Sequence, residues 1–157
     1  MQLLASVLWG RDFDEGGERP LGLGFGGRVG YTLDNAVYLG ARYEWFLGAT
    51  NEEAGGTHSW RIGQLALEAG RDIGLGREFV LRPSIAAGLA YRADKCHGVY
   101  CDSGGGTKFG LTAGPRLGVA WHHGMLVVAT DAGLAVFFLE PTAVPGFELG
   151  VHGGVAF

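Results

Sequence analysis

Phe109-Gly-Leu-Thr-Ala-Gly-Pro-Arg-Leu-Gly-Val-Ala-Trp121 alternates without a break. Phe109, Leu111, Ala113, Pro115, Leu117, Val119 and Trp121 share one face, and Gly110, Thr112, Gly114, Arg116, Gly118 and Ala120 share the other. A period of two places successive side chains on opposite sides of a pleated strand. One face is wholly apolar and bounded by aromatic rings. The other carries small residues and a single cation.

The same pattern extends along the chain and predicts eight strands. Leu3, Ala5, Val7 and Trp9 alternate with Gln2, Leu4, Ser6 and Leu8. A second strand sets Leu21, Leu23, Phe25, Val29, Tyr31 and Leu33 against Gly22, Gly24, Gly26, Arg28, Gly30 and Thr32, and Asp34-Asn35 then makes a tight turn. A third sets Val37, Leu39, Ala41, Tyr43, Trp45 and Leu47 against Gly40, Arg42 and Glu44. The fourth, near 59–70, is the least regular: Trp60 and Ile62 fall on its polar face, which predicts a bulge at its start. The remaining strands run over Phe79–Tyr91, Phe109–Trp121, Leu126–Phe138 and Phe147–Phe157. Pro83 and Pro115 lie inside strands on the apolar face, so each predicts a bulge or a local break in the ladder.

The connections alternate in length. Residues 11–20, 48–58 and 92–107 are long; 34–35, 71–77 and 122–124 are short; 139–145 is intermediate. In an up-and-down meander, long and short connections segregate to opposite ends, with both termini on the short-turn side.

Composition narrows the class. Thirty glycines in 157 residues are about three times the usual share, and each interior glycine costs a helix roughly 1 kcal/mol relative to alanine. The chain is therefore expected to be a single all-β domain, 1–157. Net charge is −4, with two lysines and ten arginines and no basic stripe, so nucleic acid is not an expected partner. No apolar run reaches 18 residues, which excludes a membrane-spanning helix but not a strand-built span. The opening Met1–Trp9 lacks a basic segment and a small-residue cleavage site, so it reads as a strand; a native signal peptide, if one exists, is not part of this sequence.

The polar face decides which side is inside. It is mostly glycine, alanine and serine with isolated charges, too sparse for a water-exposed sheet and suited to the cramped lumen of an eight-stranded barrel. Arg28, Arg42, Arg82 and Arg116 face Glu44, Glu68, Asp131 and Glu148, four cations against four anions. Buried charges require such pairing. The other face has no charge in the middle of any strand, and Arg61 reaches it only near a strand end. Its aromatic residues gather towards strand ends like interfacial girdles. The expectation is an all-β, eight-stranded antiparallel up-and-down transmembrane barrel with its apolar face against lipid.

This pattern resembles the small eight-stranded outer-membrane barrels of the OmpA/OmpX type, over the whole chain. The ending Phe147-x-Leu149-x-Val151-x-Gly153-x-Val155-x-Phe157 is similar to the terminal signature by which such barrels are recognised for assembly. The resemblance implies residence in the outer membrane of a Gram-negative-type cell. The implied partners are outer-membrane lipid or lipopolysaccharide and the barrel-assembly machinery, engaged through Phe157, and the implied state is a monomer. It implies no particular activity.

Three functional readings remain at this point: a closed, non-enzymatic barrel working through its outer loops; a narrow pore, if the glycines leave lumen space that the arginines do not fill; and a soluble lipocalin-like binder. Cys96 and Cys101, in the longest connection, suit a disulfide closing a surface loop in an oxidising compartment, with two free thiols as the alternative. Together with His97 they lack a fourth zinc ligand, and no metal or cofactor is expected. His152 faces inward near Glu148, either as a satisfied interior histidine or as a proton-responsive member of the charge network. Ser84 is the candidate interior nucleophile and is within reach of Glu68, but no arrangement matching a lipid deacylase exists, so enzyme activity is not expected. The acidic stretches around Asp12, Asp14, Glu15 and Glu18, and Glu52-Glu53, read as solvated surface, with cation bridging to lipopolysaccharide as the alternative.

Overall fold

The computed structural model describes residues 1–13, 21–48, 50–53, 56–98, 106–139 and 142–157. They form ten strands: β1 (Gln2–Asp12), β2 (Leu23–Thr32), β3 (Val37–Phe46), β4 (Thr50–Glu53), β5 (Gly56–Arg71), β6 (Ile73–Gly74), β7 (Phe79–Gly98), β8 (Thr107–His123), β9 (Leu126–Leu139) and β10 (Thr142–Ala156). Eight of them close a barrel in the order β1, β2, β3, β5, β7, β8, β9, β10. Every neighbouring pair is antiparallel, and β10 returns to β1 with Gln2 opposite Ala156 and Leu8 opposite Gly150. Closure leaves no unpaired barrel edge, a requirement for a sheet that crosses a membrane.

The two extra strands explain where the expected boundaries move. β4 pairs with the start of β5 (Thr50 with Ser59, Glu53 with Gly56), and β5 there pairs with the end of β7 as far as Gly98. Parts of the connections 48–58 and 92–107 are therefore strand. β5 and β7, at 16 and 20 residues, exceed the 9–11 or so needed to cross a bilayer. β6 continues β5 in the same register, since Gly70 opposes Ser84 and Ile73 opposes Leu81. The interruption lies opposite Pro83, and a second lies at Pro115, between the Ala113–Val136 and Arg116–Gly133 pairs. Both prolines break one ladder locally without a bulge.

The short turns have specific chemistry. Residues 34–36 close the β2–β3 hairpin with Ala36 at φ 65°, the left-handed position that normally favours glycine. His122 and His123 belong to β8 instead of the turn, which is Gly124-Met125, with Gly124 at φ 59°.

Outward positions carry the large apolar side chains. Leu67 and Phe109 are 72% and 77% exposed, and Val7, Ile85 and Leu89 are comparably open. Inward positions fall into three layers. At the long-connection end, Leu8, Leu21, Phe46, Ile62, Phe137, Leu139 and Val144 form an apolar plug. At the short-turn end, Leu4, Ala120, Val127 and Ala129 form a smaller one. Charged and polar side chains fill the middle. This is the inverse of a lipocalin-like barrel, whose apolar residues point inward.

The plug corrects the reading of the fourth strand. β5 pairs in continuous register from Gly56 to Gly70 with β7 and from Ile62 to Arg71 with β3, so it has no bulge at its start. Trp60 and Ile62 point inward because the inner face itself changes from polar to apolar along its length. Burying a side chain of this kind contributes about 1.5–3 kcal/mol relative to water, so the phase is retained.

Candidate functional site in the barrel interior

Register across six strands brings the mid-barrel charges together. Arg116 on β8 donates to Asp131 on β9 at 2.6 Å and to Glu148 on β10, and lies 3.7 Å from Glu44 on β3. Its stem occupies the space over Gly133, where an added Cβ would sit 2.7 Å from Arg116 Cγ. Arg28 and Arg42 are direct cross-strand partners on β2 and β3, an arrangement that repels unless each finds its own anions. Arg28 donates to Asp131 at 2.7 Å and lies 3.2 Å from Glu68. Arg42 lies 3.2 Å from Glu44 and 3.6 Å from Glu148.

Neutral groups complete the layer. The Gln64 amide donates to Glu44 and Glu148 at 2.7 Å each, and its oxygen accepts from Thr112 at 3.1 Å. Ser84 donates to Glu68 at 2.6 Å. His152 Nδ1 is 2.7 Å from Ser6 Oγ, and its Nε2 is 2.9 Å from Asp131 Oδ2. Ser6 is thus a second interior serine beside Ser84, meeting His152 across the β1–β10 closure.

Arg82 stands apart from this cluster. At the short-turn end it grips Asp72 through two hydrogen bonds of 2.6 and 2.9 Å, and Thr32 donates to the same carboxylate at 2.7 Å. Its guanidinium lies 3.6 Å above the Tyr38 ring. Asp72 falls in the expected 71–77 connection, yet its side chain lies inside the barrel. Extending the inward phase Gln64, Ala66, Glu68, Gly70 by one step would have found it. Asp72 therefore makes the tally four arginines against five carboxyl groups: a separate Arg82–Asp72 pair and a cluster of three arginines with four carboxyl groups.

The lumen glycines do not leave open space along β2 and β10. A Cβ on Gly24 would meet Trp45 O at 2.6 Å, one on Gly30 the Tyr38 hydroxyl at 2.2 Å, and one on Gly150 His152 Nε2 at 2.7 Å. On β8, Gly110 and Gly114 are approached by the cross-strand carbonyls of Phe138 and Leu134. These glycines admit neighbouring rings and backbone.

At the short turns, the Glu78 carboxylate accepts from Trp121 Nε1 at 2.9 Å and lies 3.3 Å from His123 Nδ1. The Trp121 hydrogen bond, then that of His123, holds the Glu78 carboxyl below its ordinary value. Trp121 and His123 stack at 5.5 Å. Among the described residues, no group of three His, Cys, Asp or Glu side chains is placed to hold a metal ion. The Cys96 side chain, Cys101, and Asp14, Glu15 and Glu18 lie outside the described residues, and so does the expected disulfide.

No protein-family model matches the sequence, and no curated protein matches it. Solved structures do. Neisserial surface protein A superposes with a TM-score of 0.71 at 14% identity, covering 99% of this chain and 96% of that one. Ail, the attachment invasion locus protein of Yersinia pestis, gives 0.67 at 16%, covering 99% and 97%. The N-terminal β-barrel domain of Pseudomonas aeruginosa OprF gives 0.54 at 20%, covering 98% and 96%. The chain has the fold of the small eight-stranded outer-membrane β-barrels.

Proposed function

We propose that this chain is an integral outer-membrane barrel, monomeric and non-enzymatic, with a sealed lumen and with its specific interactions in the surface loops. The observation that carries the reading is the inverted sidedness of the sheet: Leu67, Ile85, Leu89 and Phe109 are exposed while Arg28, Arg42, Glu44, Arg116, Asp131 and Glu148 are buried. An apolar belt of this kind calls for lipid around it. A closed, non-conducting interior is favoured over a pore by the plug of Phe46, Ile62 and Phe137, each fully buried. The non-enzymatic reading is supported by the burial of both interior serines, Ser6 and Ser84, away from any substrate.

The lipid partner follows from the rim. Arg11 and Lys95 are exposed and Arg61 is half-buried at outward positions near the long-connection end, where they face the anionic headgroups of lipopolysaccharide. Phe157 serves the barrel-assembly machinery as the terminal signal. Cys96, near the end of β7, and Cys101, beyond it, form a disulfide at the long-connection end, detectable as a mass loss of about two hydrogens per pair relative to the reduced protein.

The test is refolding into lipid vesicles followed by planar-bilayer recording. The expected result is a heat-sensitive shift of the folded band on a denaturing gel and a silent bilayer. Steady single-channel steps would replace this reading with the pore. A protein that stays monodisperse without detergent would overturn the membrane assignment.

A further inference from the structure

With Arg82 neutralised by Asp72, the mid-barrel cluster holds three guanidinium groups, Arg28, Arg42 and Arg116, against four carboxyl groups, Glu44, Glu68, Asp131 and Glu148. All seven are buried. An uncompensated charge in such surroundings is costly, so the cluster needs one more positive charge or one protonated carboxyl group.

Hydrogen-bond geometry narrows where that proton sits. Asp131 meets donors on both oxygens: Arg116 on Oδ1, Arg28 and His152 on Oδ2. Glu44 and Glu148 each face the Gln64 amide on one oxygen and arginine on the other. The Thr112 hydroxyl, donating to Gln64 Oε1, orients that amide. Each of these six oxygens already meets at least one donor, so a proton there would displace an existing hydrogen bond or ion-pair contact. Glu68 accepts from Ser84 on Oε1 and faces Arg28 with Oε2.

His152 is different. Its ring bridges Asp131 through Nε2 and Ser6 through Nδ1. A hydroxyl can donate to a neutral ring nitrogen or accept from a protonated one, so both contacts persist in either charge state. We propose that Ser6, His152 and Asp131 form a buried proton-binding site, and that His152 carries the fourth positive charge of the mid-barrel cluster as an imidazolium. Every strand packed against it contributes: Ser6 from β1, Arg28 from β2 and Arg116 from β8 through their shared Asp131, Asp131 itself from β9, and Glu148 on its own β10.

The same three groups, in the same order, activate a serine nucleophile in acyl-transfer enzymes. Here Leu4 and Leu8, flanking Ser6 on β1, belong to the two apolar layers that close the lumen at either end. Ser6 is itself buried, so the triplet stores charge instead of attacking substrate.

The test uses 15N-histidine-labelled protein refolded in micelles at pH 7. His58→Gln, His97→Gln, His122→Gln and His123→Gln leave His152 as the sole ring. The expected spectrum has protons on both ring nitrogens; a neutral tautomer, with one bare nitrogen, overturns the proposal and moves the proton to one of the carboxyl groups. A charge-rescue series gives a second readout. His152→Asn and Glu68→Gln should each lower the thermal midpoint by several degrees, and the double variant, again neutral, should recover a clear part of that loss. Strictly additive losses also overturn the proposal, because a merely structural histidine would be indifferent to the charge on Glu68.

Discussion

The ring of Tyr38 lies across the backbone of Gly30: a Cβ built on that glycine falls 2.2 Å from the Tyr38 hydroxyl oxygen. Gly40 supports the same ring, at 2.5 Å, and Arg82 covers it at 3.6 Å. Tyr38 is fully buried, so it has nowhere to retreat. Gly30→Ala should therefore cost about 1–3 kcal/mol, the usual price of overpacking. Gly153 also sits in a strand, but its Cβ would meet nothing within 4 Å; Gly153→Ala should change stability by less than about 0.5 kcal/mol. Urea unfolding of the two variants in vesicles compares them directly, and equal losses would remove the role given to the Tyr38 ring.

Arg116 serves three carboxyl groups at once, whereas Arg11 points outward at the rim. Arg116→Ala leaves Asp131 and Glu148 buried without their main partner, a change that typically costs about 3–5 kcal/mol. Arg11→Ala should stay within about 0.5 kcal/mol. If both variants unfold at the same urea concentration, the mid-barrel cluster contributes nothing to stability and the interior charges need another explanation.

How much of this was legible depended on the distance over which the signal acts. The phase of β8 could be read whole from Phe109 to Trp121, because alternation is local and its outer face is unmixed. Sidedness followed from residue type, since Gly, Ala and lone Arg do not make a wetted surface. The inward apolar residues are harder: Ile62 and Phe137 of the plug, and Trp60 in the same inward phase of β5, register as slips or are passed over by a pattern that equates inward with polar. Asp72 is harder to place because Arg71, the outward residue before it, ends the apolar alternation, and the ladder is interrupted there opposite Pro83. Ser6 and His152 meet only because β1 closes on β10, 146 residues apart, and the register of a closure is set by the whole barrel. No local pattern in either strand encodes it.

Glu78 offers a pH readout outside the membrane span. Its carboxyl is held below the ordinary value of 4.5 by hydrogen bonds from Trp121 and His123. A depressed carboxyl group contributes its interaction above the unfolded value and loses it as pH falls through the folded one. In a His123→Gln background, which removes the stacked imidazole, the Trp121 indole N–H resonance should accordingly hold steady down to about pH 4.5 and shift only at more acid pH. Glu78→Gln should abolish the titration while leaving the barrel folded. A midpoint above 4.5, or an unchanged titration in Glu78→Gln, would show that the indole does not report on this carboxylate.

Two barriers lie in series along the lumen, and Phe137 separates their contributions. Its side chain is fully buried in the apolar plug with Phe46 and Ile62, while the arginine–carboxylate layer lies beyond it towards the short turns. Phe137→Ala removes a large part of the plug and should cost about 3–5 kcal/mol through lost burial and the cavity left behind. It should not open a conducting path, because Arg28, Arg42 and Arg116 still fill the middle of the barrel. Silent recordings from a destabilised Phe137→Ala variant would place the seal in the charged layer. Stable current steps from the same variant would mean that this layer is hydrated and that the apolar plug alone keeps the barrel closed.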